Sequence, residues 1–316
     1  MKTVQILMST YNGTGFLREQ LDSILKQDCE NKKIAGFSLL IRDDGSSDGT
    51  QDILSEYERK YPDRISWYQG KNIGVTDSFF ELLAQSDEEA DYIALSDQDD
   101  VWLPDKISSG ILKLINMEES HPDKVLRPAL YCCRPLLVDI HLNEIASNID
   151  RQDMKAGFGN ALIENIVTGC TMIINSRLRE FICMEFPKHA MLHDRWIYLA
   201  ASCFGDIYFD EEPHILYRQH GGNAVGISAG KTAEFKYRMK NFLNRRNAAS
   251  RQAEEFYNIF REELAAQPEN LNLLQMFLEG KKSLRVRNRL LKESRLYRQR
   301  KSDQKLAKLF LWINWY

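Results

Sequence analysis

Long apolar runs are missing from this 316-residue chain. No stretch of roughly 18 consecutive apolar residues occurs, so no membrane-spanning helix is expected. No export signal is expected either. The short run from Val4 to Met8, interrupted by Gln5 and closed by a turn-rich stretch, reads as a buried strand rather than the apolar core of a signal peptide. Cysteine is scarce: six residues, with no C-x-x-C spacing. That excludes a disulfide-rich secreted scaffold and a structural zinc site, and makes reduced, cytosolic thiols the expected state. Internal repeats and low-complexity linkers are absent. With 43% hydrophobic residues the chain is not a disordered one, and its length fits one large domain or a domain with an extension.

Excess charge is also small, a net of −3, but the balance hides a division. Residues 231–316 carry 20 basic and 9 acidic side chains, a net of +11; residues 1–230 carry 22 and 36, a net of −14. An acidic body with a basic tail is an electrostatic statement about partners.

What is present is a rhythm. Val4–Met8, Phe37–Ile41, Ile65–Gln69 and Tyr92–Leu95 read as strands, separated by helical patterns over Gly15–Gln27, Gln51–Lys60 and Val75–Gln85. Further strands are expected over Tyr131–Asp139 and Thr171–Asn175, and a helix over Arg195–Ala201. The fold class is therefore α/β: a doubly wound, mostly parallel sheet with helices on both faces. Ligands of such sheets bind beyond the carboxyl ends of the strands. From about 231 the pattern is helical and basic, which gives an expected division into residues 1–228 and a helical extension, 229–316.

Chemistry concentrates at the strand ends. Ser96-Asp97-Gln98-Asp99-Asp100 follows the fourth strand. Clustered carboxylates repel one another; a divalent cation with substrate phosphates can compensate them, and a solvated acidic turn is the plainer reading. After the second strand comes Asp43-Asp44-Gly45-Ser46-Ser47-Asp48-Gly49-Thr50. A carboxylate there can accept a pyrimidine N–H or a ribose hydroxyl, while Asp48 or Thr50 can equally start the next helix as a cap. After the first strand, Thr10, Tyr11 and Asn12 can line a nucleotide pocket or form an ordinary turn.

These three segments, in this order and spacing, resemble the nucleotide-sugar glycosyltransferases of family 2, with a GT-A type fold, over roughly residues 1–222. The resemblance implies that Asp43 reads the pyrimidine, Asp97 contacts the ribose, and Asp99 holds Mn²⁺ or Mg²⁺ against the diphosphate. It makes Asp194, in Leu192-His193-Asp194-Arg195-Trp196, the general base of an inverting reaction; a helix cap is the plainer role for that aspartate. His193 is a weaker base candidate. In Tyr217-Arg218-Gln219-His220, His220 resembles a metal ligand and Arg218 a partner of the diphosphate. Asn72 and Gly74 fall where the family approaches the donor, Thr168 and Gly169 where it shapes the acceptor side, with Trp102 and Trp196 nearby.

The spellings SDQDDVWLPDK, TGCTMIIN and YRQHGGN look most like bacterial rhamnosyltransferases of cell-wall and capsular polysaccharide synthesis. dTDP-rhamnose is accordingly the first expected donor and a UDP-hexose or UDP-N-acetylhexosamine the second. The expected acceptor is a saccharide, lipid-linked, at the cytoplasmic face of the cell membrane. Residues 281–308 interleave lysines and arginines with leucines, and the chain closes on aromatics; this reads as a membrane-surface anchor or a homo-oligomer contact. Basic charge also suits nucleic acid. The acidic body and the lack of a nucleic-acid motif argue against that class. Asp43, Asp97, Asp99 and Asp194 together argue against an inactive scaffold.

Overall fold

The computed structural model describes residues 1–145, 154–220 and 247–316; the expected domain boundary at 228/229 lies outside them. The chain forms two units. The first comprises Met1–Ile149, Val167–Phe186 and Leu192–Arg218, the second Asp150–Ile166, Pro187–Met191 and Gln219–Tyr316.

In the first unit the expected alternation is present: β1 (Lys2–Thr10), α1 (Leu17–Leu25), β2 (Ala35–Asp43), α2 (Thr50–Lys60), β3 (Ile65–Gln69), α3 (Val75–Ala84) and β4 (Tyr92–Ser96). It continues through β5 (Val101–Trp102), α4 (Lys106–Glu119), β6 (Ala129–Cys133) and β7 (Leu136–Val138). After α5 (Phe158–Ile163), which belongs to the second unit, come β8 (Ile173–Asn175), α6 (Ser176–Cys183), α7 (His193–Phe204), β9 (Asp206–Asp210) and β10 (Ile215–Arg218). Seven strands pair in the order β3-β2-β1-β4-β8-β6-β9, with β8 running against both neighbours; β5-β10-β7 form a smaller sheet.

The strands read as apolar runs because both faces of the sheet are covered. Ile6, Met8, Leu39, Ile41 and Ala94 pack on one side with Leu17, Leu21 and Ile24 of α1. The run expected as one strand over Tyr131–Asp139 is two strands in different sheets. Pro135, lying between them, has no N–H for a ladder, and the break lets β7 turn to pair with β10.

The second unit is helical: α5, α8 (Ala248–Ile259), α9 (Arg261–Leu264), α10 (Pro268–Glu279), α11 (Leu284–Leu290) and α12 (Lys301–Trp312). Its core gathers Phe158, Phe256, Phe260, Leu273, Phe277, Leu290, Leu296, Phe310 and Tyr316. The Phe158 and Phe256 ring centroids lie 6.0 Å apart, and those of Phe277 and Tyr316 4.7 Å apart. Gly159 is where α5 meets the chain after α11: a Cβ there would come within 2.0 Å of the Arg295 carbonyl oxygen. The basic stretch 281–308 is thus not one amphipathic helix. It is broken between α11 and α12, and its Leu290 and Leu296 face inward.

Candidate active site

Register brings the three motif segments to one edge. Thr10, the last residue of β1, pairs with Asp43, the last of β2, and Met8 pairs with Ser96 at the end of β4. The order 3-2-1-4 reverses its winding at β1 and β4, which is the crevice where ligands of such sheets bind.

Side chains bind these loops to one another. Gln98, between the two aspartates of the D-x-D pattern, accepts the Tyr11 N–H at 2.9 Å and donates to the Tyr11 carbonyl at 3.0 Å. A Cβ on Gly13 would strike the same amide, 2.2 Å from its Oε1. Asn12 donates its N–H to Ser46 Oγ and accepts that of Ser47. Asp48 accepts from Thr14 and Thr50 through both N–H and hydroxyl. Burial works against its charge, but these hydrogen bonds hold the Asp48 carboxyl at about 2. It therefore serves the turn; the cap position of α2 itself is Gly49, at φ +91°.

Asp43 is more occupied than its predicted role requires. It is fully buried, and its oxygens accept Thr10 Oγ1, Ser46 Oγ, the Ser46 N–H and Gln51 Nε2. The turn through Gly45, at φ +80°, folds Ser46 back onto the carboxylate. Tyr11, by contrast, is 48% exposed. The neighbouring Asp44, with no predicted role, takes the Ile73 and Gly74 N–H groups at 2.9 Å each and pairs with buried Arg42, which also holds the Lys71 carbonyl. That fixes the segment carrying Asn72 and Gly74, both exposed.

The acidic turn is crowded. Burial first, then the charges of Asp99 and Asp194, push the Asp97 carboxyl up to about 7, although a hydrogen bond from the Cys170 thiol opposes the shift. Asp100 is raised well above the carboxylate range by burial and by Asp97 and Asp99. Its Oδ1 accepts the Arg218 N–H; among the described residues no N–H or O–H donor reaches the buried Oδ2. Ligand atoms of Asp97, Asp100 and Cys170 lie within 4.8 Å of one another, a grouping that does not include Asp99 or His220. Burial also pushes the Cys170 thiol well up, so it stays neutral, and the carboxyls of Asp97 and Asp100 are the groups a bound cation would favour in ionised form. That set fits a hard divalent cation. His220 belongs to the second unit.

Arg218 has a different place from the predicted one. It is 1% exposed, and its guanidinium is taken up by Glu19 of α1, the Asp99 carbonyl at 2.8 Å and the Ile140 carbonyl at 2.7 Å. With its own N–H on Asp100, it braces the acidic turn from behind instead of facing solvent. Trp102 is likewise internal, 2% exposed, with the buried Lys106 ammonium 3.5 Å from its ring centroid. Trp196 is wholly buried. Neither indole lines an open surface.

Asp194 meets the turn from the other side. It is the second residue of α7, whose cap position is Leu192, so the helix-cap role does not describe it. It is 8% exposed, accepts the Arg195 N–H at 2.6 Å, and its charge is felt at Asp97. Half-buried Thr168 leads into Gly169, which lets α7 approach. A Cβ on Gly169 would lie 3.6 Å from Asp194 Cβ and 2.6 Å from His193 Nε2. His193 stacks on Phe79 with centroids 4.1 Å apart, and no partner reaches either ring nitrogen among the described residues. Burial lowers it to about 3, which makes it a poor proton acceptor.

Known proteins resemble this chain in sequence and in fold. Residues 5–121 match Glycosyl transferase family 2. The dTDP-rhamnosyl transferase RfbG of Shigella flexneri is 30% identical over 239 residues, 72% of this chain and 77% of that one. A glycosyltransferase of Rickettsia typhi is 24% identical over 245 residues, 77% of this chain and 72% of that one. Among solved structures, S. aureus TarS 1-349 in complex with UDP-GlcNAc superposes with a TM-score of 0.55 at 15% identity, covering 99% of this chain and 89% of that one. The TarS likeness speaks for the GT-A type fold, and the RfbG likeness, over most of both chains, assigns this chain to glycosyl transferase family 2 as a glycosyltransferase.

Proposed function

We propose that the chain transfers L-rhamnose from dTDP-rhamnose to a saccharide acceptor, with inversion and with the help of a divalent cation. The observation that carries the reading is the convergence of Asp194 on the Asp97–Asp100 turn at the switch point of the sheet. The likeness to a dTDP-rhamnosyl transferase supports the donor. Asp194 takes the proton of the acceptor hydroxyl as that oxygen bonds to the anomeric carbon. The bond from that carbon to the diphosphate oxygen breaks, and the nucleoside diphosphate leaves with the electron pair. A β-linked donor thus gives an α-rhamnoside. Mn²⁺ or Mg²⁺, when bound, neutralises charge growing on the diphosphate. Asp97 and Asp100, with Asp99 beside them, would hold it.

Thr10, Tyr11, Asn12 and Asp43 form the nucleotide side, with Asp43 ordering the loop that meets the base. Asn72 and Gly74 face the donor, Thr168 and Gly169 the acceptor. The acceptor is lipid-linked, the setting is bacterial surface polysaccharide synthesis, and the enzyme works peripherally on the inner face of the membrane. Residues 1–228 act as the transferase and 229–316 as the extension, for membrane or subunit contact.

Calorimetric titration with dTDP and with UDP, each with and without Mn²⁺, tests this. Tighter, metal-dependent dTDP binding is expected. Preference for UDP moves the donor to a UDP-hexose or UDP-N-acetylhexosamine, and binding of neither nucleotide overturns both proposed donors.

A further inference from the structure

The second unit sorts its charges. Every exposed charged side chain in residues 281–316 is a lysine or arginine, while the two acids, Glu293 and Asp303, are half-buried. On α12 the sorting becomes a stripe. Lys301, Lys305, Lys308 and Trp312 are all exposed and follow one another at helical spacings, so they share one face. Leu309 flanks the stripe, whereas Ala307, Phe310 and Leu311 turn into the core. Among the described residues no hydrogen bond or ion pair engages the three ammonium groups. Trp312 is 62% exposed and Leu309 48%.

This arrangement reverses the expected anchor. The apolar face of the helix is already spent on its own unit, so it cannot lie down into lipid. What remains outside is a row of cations ending in an exposed indole and an isobutyl group. Tryptophan prefers the boundary between an apolar and a wet phase, and lysines beside it are drawn to anionic headgroups. Nucleic acid is the less suited partner: one aromatic at the end of the row offers no succession of stacking surfaces.

We infer that α12 lays its Lys301, Lys305 and Lys308 face on an anionic phospholipid bilayer, with Trp312 and Leu309 entering the headgroup layer. The inference deepens, and takes its purpose from, the proposed reading of an enzyme with a membrane-held acceptor. The test is sedimentation of the full chain with phosphatidylcholine vesicles, with and without phosphatidylglycerol. Binding is expected to need the anionic lipid and to fall with salt. At about fivefold per lysine, K301Q/K305Q/K308Q lowers it about 100-fold. Trp312→Phe removes the blue shift of tryptophan emission on binding.

Equal binding to pure phosphatidylcholine, no binding, or an unaffected triple variant overturns the inference. So does an RNA oligomer that displaces the chain from vesicles. Metal-dependent dTDP binding measured on the same protein separates the two readings: vesicle binding can fail while nucleotide binding stands, and the reverse.

Discussion

At the scale of single residues, three side chains have roles that can be tested apart. Asp194→Asn keeps shape and removes the proton acceptor. Turnover is expected to fall by about 10²–10⁴, with dTDP affinity unchanged by calorimetry; weak nucleotide binding would move Asp194 out of the base role. Arg218→Lys keeps the charge and loses the planar fork that grips Glu19, Asp99 and Ile140. Its Mn²⁺ requirement for turnover should rise, with metal-free nucleotide binding preserved. An unshifted Mn²⁺ titration is the contrary result. His193 concerns stability. Its ordinary value is 6.5 and burial lowers it to about 3, so between those values the unfolded chain binds the extra proton. Stability therefore falls as pH drops below 6.5, by about 1.4 kcal/mol per unit. Thermal melts of His193→Leu should show a shallower acid slope than the parent protein; parallel slopes contradict the assignment.

At the scale of elements, what the sequence made legible was what repeats locally. Strands β1 to β4 and the three motif loops could be read because apolar runs and turn residues are neighbours in the chain. Side-chain pairings across long separations left no such sign. Arg42 with the Lys71 carbonyl, Gln98 with Tyr11, and Arg218 with Glu19 span 29, 87 and 199 residues. An isolated Gln or Arg carries no periodic signal of its partner. The same blindness hid the donors already on Asp43: its hydrogen bonds from Ser46 and Gln51 depend on the turn at Gly45. Gln98 offers a test of loop coupling. Gln98→Ala frees the Tyr11 loop from the acidic turn, and donor affinity should weaken about tenfold, the cost of one to two hydrogen bonds, with Asp97 untouched. Undiminished affinity would make the bridge incidental.

At the scale of the molecule, the division of charge was legible and its use was not. The acidic body and the basic tail show in composition, but which leucines of the tail are spent on its own core follows only from the fold. That core also makes a prediction about truncation. Removing residues 281–316 takes away Leu290, Leu296, Phe310, Leu311 and Tyr316, all buried. The remainder should aggregate or lose its helical melting transition, and a monodisperse, cooperatively melting product would contradict the packing described.

The way α5 joins this unit has a consequence for ancestry and for grafting. Phe158 and Gly159 precede α6 and α7 in the chain, yet they pack with helices that follow Arg218. The helical unit is therefore interleaved with the catalytic one along the polypeptide, and no single cut releases it whole. Recombination that exchanges chain ends between transferases would deliver the tail without its matching internal segment. A chimera inheriting the tail alone would meet a cavity where Phe158 belongs, so these two stretches are expected to be inherited as a pair.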